Sequence, residues 1–230
     1  QPSRAFTPPA PQPAPKPSVW QDSLLHRRML ASLINRVENR LMAENSATQA
    51  LEHWLRAHKL VCGQEALRAE RVASPPRPCP ADLLATLDMP TPHTGQGLGY
   101  RKIRLMGNTH TYSEAENWFV TDRLSQSMTQ ALEQTDTPFG RVVSPLRFTR
   151  QLIRRETLWS PLPDLWEMQE QPLHGTVPGA PQSQPLALPP HLFRHVALLR
   201  THAGTPFSLV VETYTPQAFA FGPPPQQTAL

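Results

Sequence analysis

Phe207-Ser208-Leu209-Val210-Val211-Glu212-Thr213-Tyr214 is the most apolar strand-like run of the chain, and it carries one carboxylate. Its β-branched and aromatic residues suit an extended, half-buried segment. Glu212 has no cation beside it in this run, so burial would desolvate the charge without local compensation. Such a residue needs a distant partner or a task. Tyr100-Arg101-Lys102-Ile103-Arg104-Leu105-Met106 offers a partner, because strand alternation puts Arg101 on the face shared with Ile103 and Leu105. Arg101 is therefore the expected partner of Glu212 inside one antiparallel sheet. Two readings of that pair stand side by side. One is a buried structural ion pair; the other is a site for a small anion, with the arginine forked onto a carboxylate and the glutamate moving a proton.

Working outward, Tyr100 to Met106 and Thr109 to Val120 flank Gly107-Asn108, a dipeptide that supplies the positive φ of a tight hairpin. Glu65 to Val72, Phe148 to Leu158 and His195 to Thr201 read as further strands. The last of these joins Phe207 to Thr215 through His202-Ala203-Gly204. Helices are predicted upstream. From Val19 to Ala43, Leu24, Leu25, Met29, Leu30, Leu33, Ile34, Val37 and Leu41 recur at helical steps. Ser46-Ala47-Thr48-Gln49 has the capping-box pattern, and it opens a second helix with Ala50, Leu51, Trp54, Leu55 and Leu60 on one side. The spacing also predicts a short helix over Ala81 to Leu87 and a longer one over Leu124 to Gln134. Strands and helices segregate into an α+β pattern.

The chain has 28 prolines in 230 residues, and they cluster in the first seventeen residues, between Pro75 and Pro92, between Pro161 and Pro190, and in the last fifteen. The clusters mark tails and loops. The expected organisation is a disordered tail over 1–18, one domain over 19–215 that begins with a helical hairpin (19–60), a mobile loop near 168–190, and a disordered tail over 216–230. The first residue is Gln1, and the segment to Lys16 resembles what remains after an export signal is removed. Export to the periplasm is the expectation, with the cytoplasm as the alternative.

The formal charge of +4 comes from 22 basic and 18 acidic residues scattered along the chain, without the basic stripe that nucleic-acid binding requires. No apolar run reaches membrane-spanning length. Cys62 and Cys79 lack the partners of a zinc site; one disulfide and two free thiols both remain open. His191 and His195 enter a strand, where residues four apart do not form a metal-binding pair, and they read as structural. The chain has no G-x-S-x-G elbow, phosphate-binding glycine loop or H-E-x-x-H motif.

What remains is the order of pieces: the Arg101 strand, the return strand Glu116-Asn117-Trp118-Phe119-Val120, a helix, the loop Thr137-Pro138-Phe139-Gly140-Arg141, and Gly204-Thr205-Pro206 before the Glu212 strand. This order resembles chorismate lyase over about residues 99–216. The resemblance implies an antiparallel sheet of about six strands flanked by helices, and a buried site that converts chorismate to 4-hydroxybenzoate and pyruvate without metal or organic cofactor. It also implies that Arg101 grips a ligand carboxylate, that Glu212 is the catalytic acid, and that the Phe139 backbone contacts the ring hydroxyl. The family's second carboxylate-binding arginine aligns with Asn117. Losing that guanidinium removes charge-assisted hydrogen bonds worth about 1.5 to 3 kcal/mol each. Arg141 or Arg194 could substitute. The alternative function is a non-catalytic binder of small aromatic carboxylates that uses Arg101 and Asn117. A related sheet serves as the ligand-sensing domain of some transcription regulators, but the first sixty residues here do not read as a winged-helix DNA reader. A monomer is expected, with a small aromatic carboxylate as its partner.

Overall fold

Asn108, not Gly107, takes the positive φ that reverses the central hairpin, at 52°. Gly107 is needed for closeness instead: a Cβ there would stand 2.9 Å from side-chain carbons of both Tyr112 and Val61. The computed structural model describes residues 19–62, 67–89, 97–169 and 184–224. The expected N-terminal tail lies outside the described residues, as do the middle of the 168–190 loop and the last six positions.

The hairpin joins β2 (Leu98–Gly107) to β3 (His110–Val120). With β1 (Arg68–Arg71), β4 (Thr149–Thr157), β5 (Phe193–Arg200) and β6 (Pro206–Tyr214) they form one six-stranded sheet in the order β1-β2-β3-β6-β5-β4. Every neighbouring pair is antiparallel. The expected α+β class with a six-stranded antiparallel sheet is the observed one. The C-terminal strand β6 lies between β3 and β5, so Glu212 sits on a central strand, where neighbouring side chains restrict access to water.

One face of the sheet is covered by α1 (Leu24–Ala43), which starts at a Ser23 cap rather than at Val19 as expected, and α2 (Ala47–Ala57), capped by Ser46 as the sequence pattern predicts. Leu30, Ile34, Val37 and Leu41 of α1 meet Ile103, Leu105, Ala115, Val210 and Ala197 in the main core. Leu25, expected in the buried stripe, is 49% exposed, because the helix begins at Leu24 and its phase turns Leu25 outward. The other face buries Trp118, Val196, Leu198 and Leu209 against Leu83 of α3 (Ala81–Leu84) and Leu87 just beyond it. At one end, α4 (Gln126–Gln134) and α5 (Phe139–Val142) close a third cluster around Phe119, Phe139 and Phe207. No helix among the described residues is long and apolar enough to cross a membrane.

The folded part runs past Thr215. Pro216–Phe219 forms a turn whose Phe219 is buried, and Trp20 and Trp54 donate their indole N–H groups to the carbonyls of Phe219 (2.8 Å) and Ala218 (2.9 Å). Both indoles are buried, and these bonds satisfy donors that would otherwise be stranded.

A buried acid ties α1 to the sheet. Glu38 receives two bonds from Arg155, at 2.8 and 2.5 Å, and lies 3.3 Å from Nε2 of the fully buried His195. Burial pushes the Glu38 carboxyl up, but the bonds from His195 and Arg155 outweigh it and hold the group below its ordinary value. The sign follows: this tether contributes fully above the ordinary glutamate range and is lost as pH falls through the lowered folded value. Glu38→Ala is expected to cost about 3 kcal/mol near neutral pH, because it strands a buried histidine. Urea denaturation should also show that the gap to the wild type narrows under acid conditions. A loss below about 1 kcal/mol would show that the tether contributes no more than a surface pair.

Candidate functional site

Glu212 does not meet Arg101. Its Oε2 accepts a 2.6 Å bond from Nη2 of Arg150 and a 3.4 Å bond from the Tyr214 hydroxyl. Arg150 comes from β4, the edge strand on the far side of β5, and its side chain is only 2% exposed. Its Nη1 donates to the Leu41 carbonyl at 3.1 Å, which ties the pair to the end of α1. Burial alone would pull the Arg150 guanidinium down, but the Glu212 charge beside it overrides this and holds it above its ordinary value.

Arg101 is buried as expected, yet its fork grips backbone. Nη1 donates to the Thr137 carbonyl at 3.0 Å and Nη2 to the Thr135 carbonyl at 2.9 Å. The expected Arg101–Glu212 pair is thus replaced by two separate arrangements: Arg150 with Glu212, and Arg101 as a clasp on the segment leading into Phe139. Neutral carbonyls do not balance a charge. Burial first, and Arg71 second, pull the Arg101 guanidinium down to about 10, with Asp136 offsetting part of the effect.

A small cavity of about 50 Å³ lies between the helix-covered face and its cover. Arg150, Glu212, Asn117, Ser113 and Tyr214 supply its polar wall. Ile103, Leu105, Val210, Leu199 and Phe148 make it apolar elsewhere, and Ser46, Thr48, Pro138 and Phe139 roof it. Of the expected site residues, Glu212, Asn117 and Phe139 therefore share one cavity. Arg101 stands beside it, paired in register with Asn117 across β2 and β3. Arg141 points elsewhere, donating to Glu52 of α2 at 2.6 Å and to the Leu67 carbonyl at 3.3 Å. Arg194 bonds Glu156 and Thr213. The arginine that reaches the cavity is Arg150.

Among the described residues, the buried polar atoms without a hydrogen-bond partner gather on this face: Arg101 Nε, Asn117 Oδ1, Arg150 Nε and His195 Nδ1, with only Ser74 Oγ besides. Buried polar groups are almost always satisfied, so these open valences call for partners, and two of them, Asn117 Oδ1 and Arg150 Nε, belong to residues that line the cavity. Arg150 is paired with Glu212 and Arg155 with Glu38, whereas Arg101 bonds only neutral carbonyls and has Asp136 as a partial offset. The arrangement suits an anion carrying a hydroxyl, which could accept from Arg150 Nε and donate to Asn117 Oδ1.

A larger cavity of about 240 Å³ opens on the opposite face beside Tyr100, Trp118, Leu98 and Cys79. Its polar groups are already paired: Trp118 Nε1 with the Arg77 carbonyl at 2.8 Å, the Tyr100 hydroxyl with Glu116 at 2.6 Å, and Arg77 with Glu116 at 3.0 Å. The thiols of Cys62 and Cys79 are both free, and burial together with Asp82 pushes Cys79 up to about 11, far from a reactive thiolate. Chemistry rather than size therefore selects the smaller cavity.

Fold and site together define an α+β domain in which one antiparallel sheet carries a small pocket with a buried arginine in its wall, under a helical hairpin. No family model matches the chain. The uncharacterized protein y4mC of Sinorhizobium fredii (strain NBRC 101917 / NGR234) is 35% identical over 208 residues, which cover 89% of this chain and 83% of that protein. The chain belongs to the family of y4mC. Among solved structures, the possible transcriptional regulator YydK of Bacillus subtilis matches with a TM-score of 0.37 and 11% identity over 73% of this chain and 65% of that one. The gene product SA0254 of Staphylococcus aureus matches with a TM-score of 0.36 and 10% identity over 64% of this chain and 82% of that one. Likenesses this weak carry nothing about function, and the chain spans slightly under two thirds of YydK.

The Arg150–Glu212 pair is expected to behave as a buried unit. Arg150→Met alone should cost about 3 kcal/mol, whereas the double change Arg150→Met/Glu212→Gln should recover at least about half of that loss. Chemical denaturation of the variants closes the cycle, and additive losses would mean that the two side chains are not coupled.

Proposed function

We propose that this protein binds a small aromatic monocarboxylate of the hydroxybenzoate type in the cavity between the sheet and α2. The observation that carries the reading is the pairing of unmet groups at one apolar pocket: an Arg150 N–H that needs an acceptor and an Asn117 oxygen that needs a donor. A carboxylate and a ring hydroxyl answer both. Ile103, Leu105, Val210 and Phe139 supply the apolar walls that a ring requires.

Size and charge favour binding over turnover of chorismate. A cavity of about 50 Å³ is far below the few hundred Å³ usual for a drug-sized ligand, so even a single ring must push the Pro138–Gly140 roof outward. Chorismate carries two carboxylates, and the second clamp of the lyase pattern is Asn117 here. Glu212, the expected acid, already accepts from both Arg150 and Tyr214. The lyase reading keeps one support: Glu212, Asn117 and Phe139 line the same cavity, as the resemblance to chorismate lyase implies.

Titration calorimetry with 4-hydroxybenzoate, 3-hydroxybenzoate and benzoate tests the binder. The hydroxylated acids should bind at least about fivefold more tightly than benzoate, the worth of one added hydrogen bond, and Asn117→Leu should erase that preference. Incubation with chorismate, followed chromatographically for 4-hydroxybenzoate beside Glu212→Ala, tests the lyase. Product formed by the wild type and lost in the variant would move the conclusion to catalysis.

A further inference from the structure

We propose that a carboxylate ligand binds at Arg150 together with one proton, which the ligand shares with Glu212. The inference rests on the binding reading above and adds to it a mode of regulation. Arg150 is the guanidinium that lines the cavity. Its Nη2 holds Glu212, its Nη1 holds the Leu41 carbonyl, and its Nε has no partner. Arg101 cannot take this role as it stands, because both of its Nη atoms clasp the carbonyls of Thr135 and Thr137.

On one planar guanidinium, Nε and Nη2 lie about 2.3 Å apart. A ligand carboxylate on Nε therefore arrives beside the Glu212 carboxylate, and a ligand forked across both nitrogens displaces it. Either way two carboxylates converge on one cation, in a place where the Arg150 side chain is 2% and the Glu212 side chain 14% exposed. Paired carboxylates in such surroundings do not both stay ionised.

The surrounding groups offer no other relief. On β6, Tyr214 already donates to Glu212, and burial, with the Glu212 charge, pushes its hydroxyl well above the ordinary value. On β5, His195 stands opposite Glu212 in register but is bonded to Glu38 of α1, which also holds Arg155 of β4. Ser113, Ala115 and Asn117 of β3, and Ser46 and Thr48 at the start of α2, carry no titrating charge in this range. Arg101 lies beyond Asn117 and is engaged with the loop. The proton thus comes from solvent. One ligand anion and one proton enter together, and the charge of the site is unchanged.

The sign follows from linkage. Binding that takes up a proton weakens as pH rises, so the Kd should climb by up to about tenfold per pH unit. The experiment is calorimetric titration of the full chain with 4-hydroxybenzoate between about pH 5.5 and about pH 8, in buffers of differing ionisation enthalpy. The expected result is uptake of close to one proton per ligand. Glu212→Gln, with melting curves confirming a folded chain, should abolish both the uptake and the pH slope and bind more tightly than the wild type at the alkaline end. Arg150→Gln should weaken binding by at least about tenfold. A wild-type Kd flat with pH, or a slope that survives in Glu212→Gln, overturns the proton coupling and leaves the binding reading standing. Affinity that survives Arg150→Gln but is lost in Arg101→Ala transfers the carboxylate to the other arginine and also overturns it. Absence of binding by both the wild type and Glu212→Gln at every pH removes the binding reading itself, and this inference with it.

Discussion

The contact between Arg150 and Glu212 is the constraint around which this face of the molecule is arranged. A carboxylate on a central strand cannot be hydrated freely, and the nearest cation in the chain fold comes from an edge strand with β5 in between. Strands two apart are separated by about 10 Å, so only a long side chain closes the gap. Arginine suits this position in a way lysine does not, because it bonds Glu212 and the Leu41 carbonyl at once. Between the levels of Arg150 and Glu212, β5 presents Ala197, its smallest residue on that face. Helix α1 is drawn into the same network twice, at Leu41 through Arg150 and at Glu38 through Arg155 and His195.

Arg101 acts on the cavity at one remove. By holding the carbonyls of Thr135 and Thr137 it sets the approach of the chain to Pro138 and Phe139, which roof the pocket. On the binding reading proposed above, a ring would have to lift that roof, and the strength of the Arg101 clasp would enter its affinity. Such an opening would also give up contacts at the Phe119, Phe139 and Phe207 cluster.

The sheet and its helical cover were legible because each rests on a local pattern. Alternation found the hairpin strands, apolar periodicity found the first helix and the Ser46 capping pattern the second, and Gly107-Asn108 found the reversal, although Asn108 carries the positive φ. Part of the site was legible too: Glu212 from its place as a lone carboxylate in an apolar strand, and Asn117 only through the resemblance to chorismate lyase. The partner of Glu212 was not. Arg101 and Arg150 obey the same rule, each alternating with an inward apolar residue, Ile103 or Leu152. Strand order does not separate them, because β2 and β4 each lie two strands from β6; what does is that Arg101 is turned onto the carbonyls of Thr135 and Thr137, while Arg150 reaches Glu212. The signal was present in Thr149-Arg150-Gln151-Leu152, but the choice between two arginines was a tertiary one.

The edge strand hides its second contribution behind a bulge. β4 reads Thr-Arg-Gln-Leu-Ile-Arg-Arg-Glu-Thr, and its charges are what keep an exposed edge from pairing with other chains. Strict alternation would put Arg150 and Arg155 on opposite faces, one inward and one in water. The register shifts between Leu152 and Arg154, leaving Ile153 out of the pairing, so that Arg150 faces Leu199 while Arg155 faces His195 on the same side. One extra residue thereby turns a protective edge into the source of two inward cations, one for Glu212 and one for Glu38. Because the Glu38 side of the network has absorbed Arg155, Arg150 alone stands between Glu212 and any incoming carboxylate. The cavity wall thus holds one guanidinium, where the resemblance to chorismate lyase implies two arginines.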